Sequence, residues 1–134
     1  ALEPIFPPSQ PNPTCLLHGD YWIGNILWNA AALGGTIAAV IDWEDAATGD
    51  PLADLATARL ELVFAFGMDA AQQFMRHYQA QTALDYTNLP IWDLYAALLP
   101  AHQLAEWAGD SATERRWRAG HAAFVAQALE RLSE

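Results

Sequence analysis

Asp20, Asn25 and Asp42 are three oxygen-bearing side chains whose types and order suit one kind of chemistry. The first two stand in the run His18-Gly19-Asp20-Tyr21-Trp22-Ile23-Gly24-Asn25, and the third in Ile41-Asp42-Trp43-Glu44. Phosphoryl transfer asks for little covalent chemistry from a protein. It needs a carboxylate to orient the attacking hydroxyl and oxygen ligands that hold Mg²⁺ on the phosphates. Asp20 would supply the first. Asn25, five residues on, offers an amide oxygen to the metal, and Asp42 a charged ligand. Taken singly these residues are bland: H-G-D can be a turn, Asn25 a turn residue, and Asp42 an exposed carboxylate at a strand end. Clustered Asp, His and Asn also serve metallohydrolases, but the chain has no H-E-x-x-H and no Cys/His zinc spacing.

The elements that must position these groups can be read from the flanking residues. An apolar run, Thr14 to Leu17, leads into the first motif. Asn25 to Trp28 and Thr36 to Ile41 are β-prone runs around Gly34-Gly35, which predicts a hairpin with Asp42 at the end of its second strand. From Asp50 on the pattern is helical. Asp50-Pro51 reads as an N-cap with proline at the first helical position, followed by Leu52, Leu55, Ala56, Leu60, Val63 and Phe64 at helical spacing. A second helix is expected from near Asp69, with Phe74, Met75 and Tyr78 inward. A third should run from Leu89 to Trp107 with an interruption at Pro100. A fourth should start at Ser111, with Glu114 completing a capping box. Trp92, Trp107 and Trp117 read as core, and Cys15 as a small buried hydrophobe. The fold class expected is therefore α+β, predominantly helical, with a short hairpin carrying the catalytic and metal loops. Residues 1–13, which hold five of the eight prolines, form a connector, and 14–134 the domain.

The ordered motifs resemble the protein-kinase catalytic loop H-R-D-x-x-x-x-N followed by the metal-binding Asp of D-F-G. Glycine stands in place of the arginine, and Ile41-Asp42-Trp43-Glu44 in place of D-F-G, as in the aminoglycoside phosphotransferase and choline kinase group. Gly49-Asp50-Pro51-Leu52-Ala53-Asp54-Leu55 is similar to that group's G-D-P-x-x-D-L segment. The resemblance covers Leu16 to Ala56, with a compatible helical tail. It implies a protein-kinase-like C-terminal lobe, with Asp20 catalytic and Asn25 and Asp42 as Mg²⁺ ligands. Asp54 and His18 would brace the catalytic loop, and Glu44 would reach the second metal shell or the substrate. It also implies ATP as phosphate donor and a small-molecule hydroxyl acceptor.

Bulk composition narrows the partners. The 134 residues carry a formal net charge of -10, six arginines and no lysine. Such a chain repels nucleic acid and anionic membranes, and would suit a cationic acceptor. A single cysteine, no basic-then-apolar leader and no apolar run of the ~20 residues that span a bilayer give a cytoplasmic expectation. Kinase-like enzymes also grip ATP with a glycine-rich strand and a lysine upstream of the catalytic loop. With no lysine, and seventeen residues before His18, the chain is expected to lack that nucleotide lobe. It should turn over poorly alone and present an apolar face that invites dimerisation or a missing lobe. The alternative is a non-catalytic binding module that keeps the same lobe.

Overall fold

The computed structural model describes residues 6–29 and 35–133. Two small antiparallel ribbons precede a helical body. Strand β1 (Cys15–Leu17) pairs with β4 (Ala47–Gly49), in the register Cys15 to Gly49. Strand β2 (Ile26–Asn29) pairs with β3 (Thr36–Val40), with an irregularity between Leu27 and Trp28. The β2–β3 ribbon is the expected hairpin. Gly34 of its turn lies outside the described residues, and Gly35 has φ 54°. The β1–β4 ribbon has no signal in the sequence, because Ala47-Thr48-Gly49 is poor in β-prone residues and its partner lies some thirty positions away. Cys15, placed on this surface ribbon, is exposed rather than buried.

Five helices follow: α1 (Leu52–Phe66), α2 (Met68–Gln81), α3 (Leu89–Leu98), α4 (Leu104–Ala108) and α5 (Ser111–Arg131). Among the described residues no helix is long and apolar enough to cross a membrane. The Asp50 carboxylate accepts from the Leu52 N–H at 3.0 Å, so it satisfies a free donor at the start of α1. The expected third helix breaks where proline removes a donor: α3 stops at Leu98, a 3-10 turn spans Pro100–His102, and α4 resumes. The start of α5 differs from expectation in its cap. Asp110, in extended backbone, accepts from the N–H groups of Ala112 and Thr113, both at 2.9 Å. Ser111 is already helical, and Glu114 pairs with Arg118 instead of closing a capping box. An ionised carboxylate one residue earlier is the stronger acceptor.

Helix α1 is the axis of the body, packed on α2, α3 and α5. Two apolar clusters lie along it. One joins Leu60, Val63 and Phe64 to Ala97, Leu104 and Phe124; the other joins Leu52, Leu55 and Ala56 to Met75, Leu89 and Ala96. Between α1 and α3 sits a charge pair, Arg59 and Asp93, only 3% and 2% exposed. Arg59 Nε and Nη2 each donate to Asp93 at 3.1 Å, and Phe124 of α5 lies under the guanidinium with its ring centre 5.6 Å away. Burial raises the Asp93 carboxyl above the usual carboxylate range while Arg59 pulls it down.

The N-terminal segment is also tied down. Asn12 is buried and donates through Nδ2 to the Asp85 carbonyl at 2.9 Å and to Asp50 Oδ1 at 3.3 Å. Its Oδ1 accepts from the Asp85 N–H at 2.8 Å.

Removing one partner of the buried pair strands the other charge. Asp93→Ala is expected to lower unfolding free energy by about 3–5 kcal/mol. Replacing both partners (Arg59→Met with Asp93→Leu) should cost far less. Urea denaturation of the two variants checks this, and equal losses would show that shape rather than charge pairing dominates.

Candidate active site

The loop between β1 and β2 is held from below by α1. Asp54, in the first turn of that helix, accepts from the His18 N–H at 2.6 Å and from the Gly19 N–H at 3.0 Å. These are charge-assisted bonds to backbone that has no strand partner there. Gly19 has φ 85°, and a Cβ at this position would collide with the carbonyl oxygen of Asp45. Only glycine meets both constraints. This explains in steric terms why the residue between His18 and Asp20 carries no side chain.

His18 is 2% exposed and links three segments. Its Nδ1 accepts from the Asp20 N–H at 3.2 Å, so Nε2 carries the hydrogen and donates to the Ile41 carbonyl at 2.8 Å. Its ring also packs on Trp43, with centroids 4.6 Å apart. Asn25, buried at the end of the 3-10 turn Ile23–Asn25, donates through Nδ2 to the Asp20 carbonyl at 2.9 Å and to Asp20 Oδ2 at 3.2 Å. The Asn25 carbonyl in turn accepts from the Ile41 N–H at 2.9 Å. Both peptide groups of Ile41 are thus engaged by the first motif, which sets Asp42 directly beside it. Asp42 has φ 66°, a left-handed conformation that Asp tolerates better than most residues and that turns the chain out of β3.

The structure therefore gathers His18, Asp20, Asn25, Asp54 and the start of the Asp42 segment into one bonded group. Asp20 and Asp42 are exposed. Glu44 is exposed too and makes no hydrogen bond among the described residues. Donation through Nδ2 leaves Asn25 Oδ1 outside the bond to Asp20. That amide oxygen and the Asp42 carboxylate are hard oxygen donors, which fit a cation such as Mg²⁺ that keeps several waters. Among the described residues no three His, Cys, Asp or Glu stand close enough to hold a metal by themselves. An amide oxygen, phosphate oxygens and water would complete the shell.

Sequence reading did not single out Glu61. It sits one turn before the end of the buried stretch of α1 and lines, with Asp20, Trp22, Phe64, Trp107 and Trp117, a cavity of about 550 Å³. Burial, and then the negative charge of Asp20, push its carboxyl up to about 7. Trp107, expected in the core, is 50% exposed at this cavity. Glu61 is one of three charged residues on α1, with Asp54 and Arg59, and nothing in its spacing sets it apart in the sequence.

Comparison with known proteins gives a consistent picture. The model of the phosphotransferase enzyme family called APH matches residues 2–98. Acyl-CoA dehydrogenase family member 11 of Rattus norvegicus is 29% identical over 108 residues, covering 68% of this chain and 13% of that protein. The Gallus gallus protein of the same name is 43% identical over 51 residues, 38% of this chain and 6% of that one. The Mus musculus protein is 28% identical over 108 residues, 68% and 13%. The chain thus spans about an eighth or less of the length of these relatives. No solved structure matches it.

Loss of the Asp54 carboxylate frees two loop amides at once. Asp54→Ala is expected to cost about 3 kcal/mol, from two bonds to a charged acceptor. Hydrogen exchange at the His18 and Gly19 amides should speed up at least about tenfold. Unchanged exchange at these two positions would mean the loop is held by something else.

Proposed function

This chain belongs to the APH phosphotransferase family, and on that premise we propose that it is the C-terminal, catalytic-loop lobe of a kinase-like fold that transfers phosphate from ATP to a hydroxyl of a small molecule. The observation that carries this reading is the Asn25 hydrogen bond to Asp20, together with the hold of both Asn25 and His18 on Ile41. These contacts join Asn25 to Asp20 and hold the residue before Asp42 against the same loop, which supports the reading. Positioning of this kind supplies most of the catalysis in phosphoryl transfer.

In this reading the acceptor hydroxyl hydrogen-bonds to the exposed Asp20 carboxylate. As the hydroxyl oxygen bonds to phosphorus and the terminal phosphoanhydride bond of the donor breaks, the proton passes to Asp20. Asn25 keeps the Asp20 carboxylate turned toward the acceptor. Asn25 Oδ1 and Asp42 would hold Mg²⁺, which when bound offsets charge on the phosphates. Glu44, two residues after Asp42, would reach the second metal shell or the substrate. The acidic balance of -10 favours a cationic acceptor. The sequence has no lysine to clamp the phosphates, so we propose that this stretch works with a nucleotide-gripping lobe and turns over slowly by itself. The relatives' name speaks of acyl-CoA dehydrogenation, and over so small a share of their length it supports no acceptor for this chain.

Two substitutions test the assignment. Asp42→Ala should abolish Mg²⁺-dependent ATP binding, read by a fluorescent nucleotide titrated with and without the metal. Asp20→Asn should leave that binding intact and cut residual phosphotransfer by about 10²–10⁴-fold. Retained metal-dependent binding in the first variant, or unaltered transfer in the second, overturns the roles of these two carboxylates. If wild-type protein binds no Mg²⁺-nucleotide at all, the non-catalytic alternative takes over.

A further inference from the structure

Glu61 is a half-buried carboxyl with no hydrogen-bond or ion-pair partner among the described residues, and neither the helix core nor the metal loop uses it. It stands at a junction. On one side lies the cavity of about 550 Å³ that it shares with Asp20. On the other lies a second cavity of about 270 Å³, walled by Tyr21, Ile26, Trp28, Ile37 and Phe74, in which Asp20 has no part. Trp22 and Glu61 border both, so among the described residues Glu61 is the one titratable side chain common to the two. Trp28 and Ile37 are more than half exposed, which puts the second cavity at the surface.

Phosphate transfer to a hydroxyl leaves a proton to dispose of. The hydroxyl O–H bond breaks as its oxygen bonds to phosphorus, and the proton lands on Asp20. Asp20 must lose it before the next turnover, yet a donor and acceptor bound over it would shut out water from above. The cavity shared with Glu61 is the way that remains, and it is roomy enough for water. We propose that Glu61 is the proton-relay residue of this site: it takes the proton from Asp20 across the shared cavity and releases it to solvent through the second one. The inference rests on the phosphotransfer reading and adds to it a residue that acts through Asp20. The step balances. Each cavity water accepts one hydrogen and gives up another, Asp20 returns to carboxylate, and Glu61 passes from carboxylate to acid and back.

A relay works best when its hold on a proton matches the surrounding pH. Burial, and then the charge of Asp20, push the Glu61 carboxyl up to about 7. Asp20 is exposed and holds an amide hydrogen from Asn25, whereas Glu61 holds none, so a proton given to the pair settles on Glu61. The titratable groups facing Glu61 are Asp20 and Tyr21, both from the catalytic loop. Phe74 of α2, Trp107 of α4, Trp117 of α5 and the hairpin residues are uncharged, and α3 contributes no wall to either cavity. On α1 itself Arg59 is taken up by Asp93, and Asp54 by the loop amides. Glu61 must be ionised to accept a proton. Turnover should therefore rise with pH through about 7 and fade below it.

The test uses the full chain with ATP and excess Mg²⁺ as donor and water as the hydroxyl acceptor, read as slow release of labelled phosphate. The wild-type rate should rise roughly tenfold from pH 6 to pH 8. Its midpoint should coincide with that of the Glu61 carboxyl, followed by carboxyl ¹³C NMR on glutamate-labelled protein. Glu61→Gln should flatten the profile and cut the rate at pH 8 at least about tenfold. Glu61→Asp, which can still titrate, should bring a pH-dependent limb back. Asp20→Asn removes the facing charge and should lower the Glu61 midpoint by about half a pH unit or more. The relay is overturned, with the phosphotransfer reading left standing, by any of three results: Glu61→Gln keeps the wild-type profile, Asp20→Asn leaves the Glu61 midpoint in place, or the rate and carboxyl midpoints differ by more than about one pH unit. The last comparison needs wild-type protein alone, so it decides the matter should a variant fold poorly. No Mg²⁺-dependent release at any pH would instead sink the phosphotransfer reading, and the relay with it.

Discussion

The structure depends on one side chain reaching from helix to loop. Asp54 stands in the first turn of α1 and takes two backbone hydrogens from His18 and Gly19. Those amides belong to a segment with a left-handed glycine, pressed against the Asp45 carbonyl, where no strand partner is available. Without that carboxylate the loop would have to satisfy them in water and would lose its single shape. Everything downstream follows from that placement. His18 can reach Ile41 only because its own backbone is fixed, and Ile41 sets where β3 ends and where Asp42 turns. The helix core and the candidate site are therefore one mechanical unit.

The features legible in the sequence were those whose partners lie close along the chain. Asp20 and Asn25 are five apart, and Asn25 donates to Asp20. The stripe of α1 is local, and so is the break at Pro100. What escaped depended on distant partners. Ala47–Gly49 becomes a strand only because Cys15–Leu17 lies beside it, and that same surface ribbon exposes Cys15. Ser111 and Glu114 match a capping box on spacing alone, yet the adjacent Asp110 caps the helix through the Ala112 and Thr113 amides. Glu61 and Trp107 look ordinary on their own helices, and their setting arises where the catalytic loop, α1, α4 and α5 converge.

Two carboxylates buried or half-buried on the same helix neighbourhood meet opposite fates. Asp93 finds Arg59 at 3.1 Å in two places, with Phe124 beneath the guanidinium. Glu61 has no such partner and faces a like charge. Pairing makes the first a structural contact that fixes how α3 and α5 sit on α1. The second instead lines a cavity together with Asp20. The sequence distance between Arg59 and Glu61 is two residues, so they point to different sides of one helix.

The seat of Asn12 has a practical consequence. Its amide joins Asp50, which caps α1, to the backbone at Asp85, between α2 and α3. The proline-rich stretch is thereby sewn to the base of the helix that carries Asp54. A shortened polypeptide starting at Thr14 would keep every residue of the catalytic motifs, yet it would leave the amide and carbonyl of Asp85 searching for solvent and loosen the footing of α1. Anyone trimming this protein for expression should place the cut ahead of Ser9, whose carbonyl also accepts from Asn88.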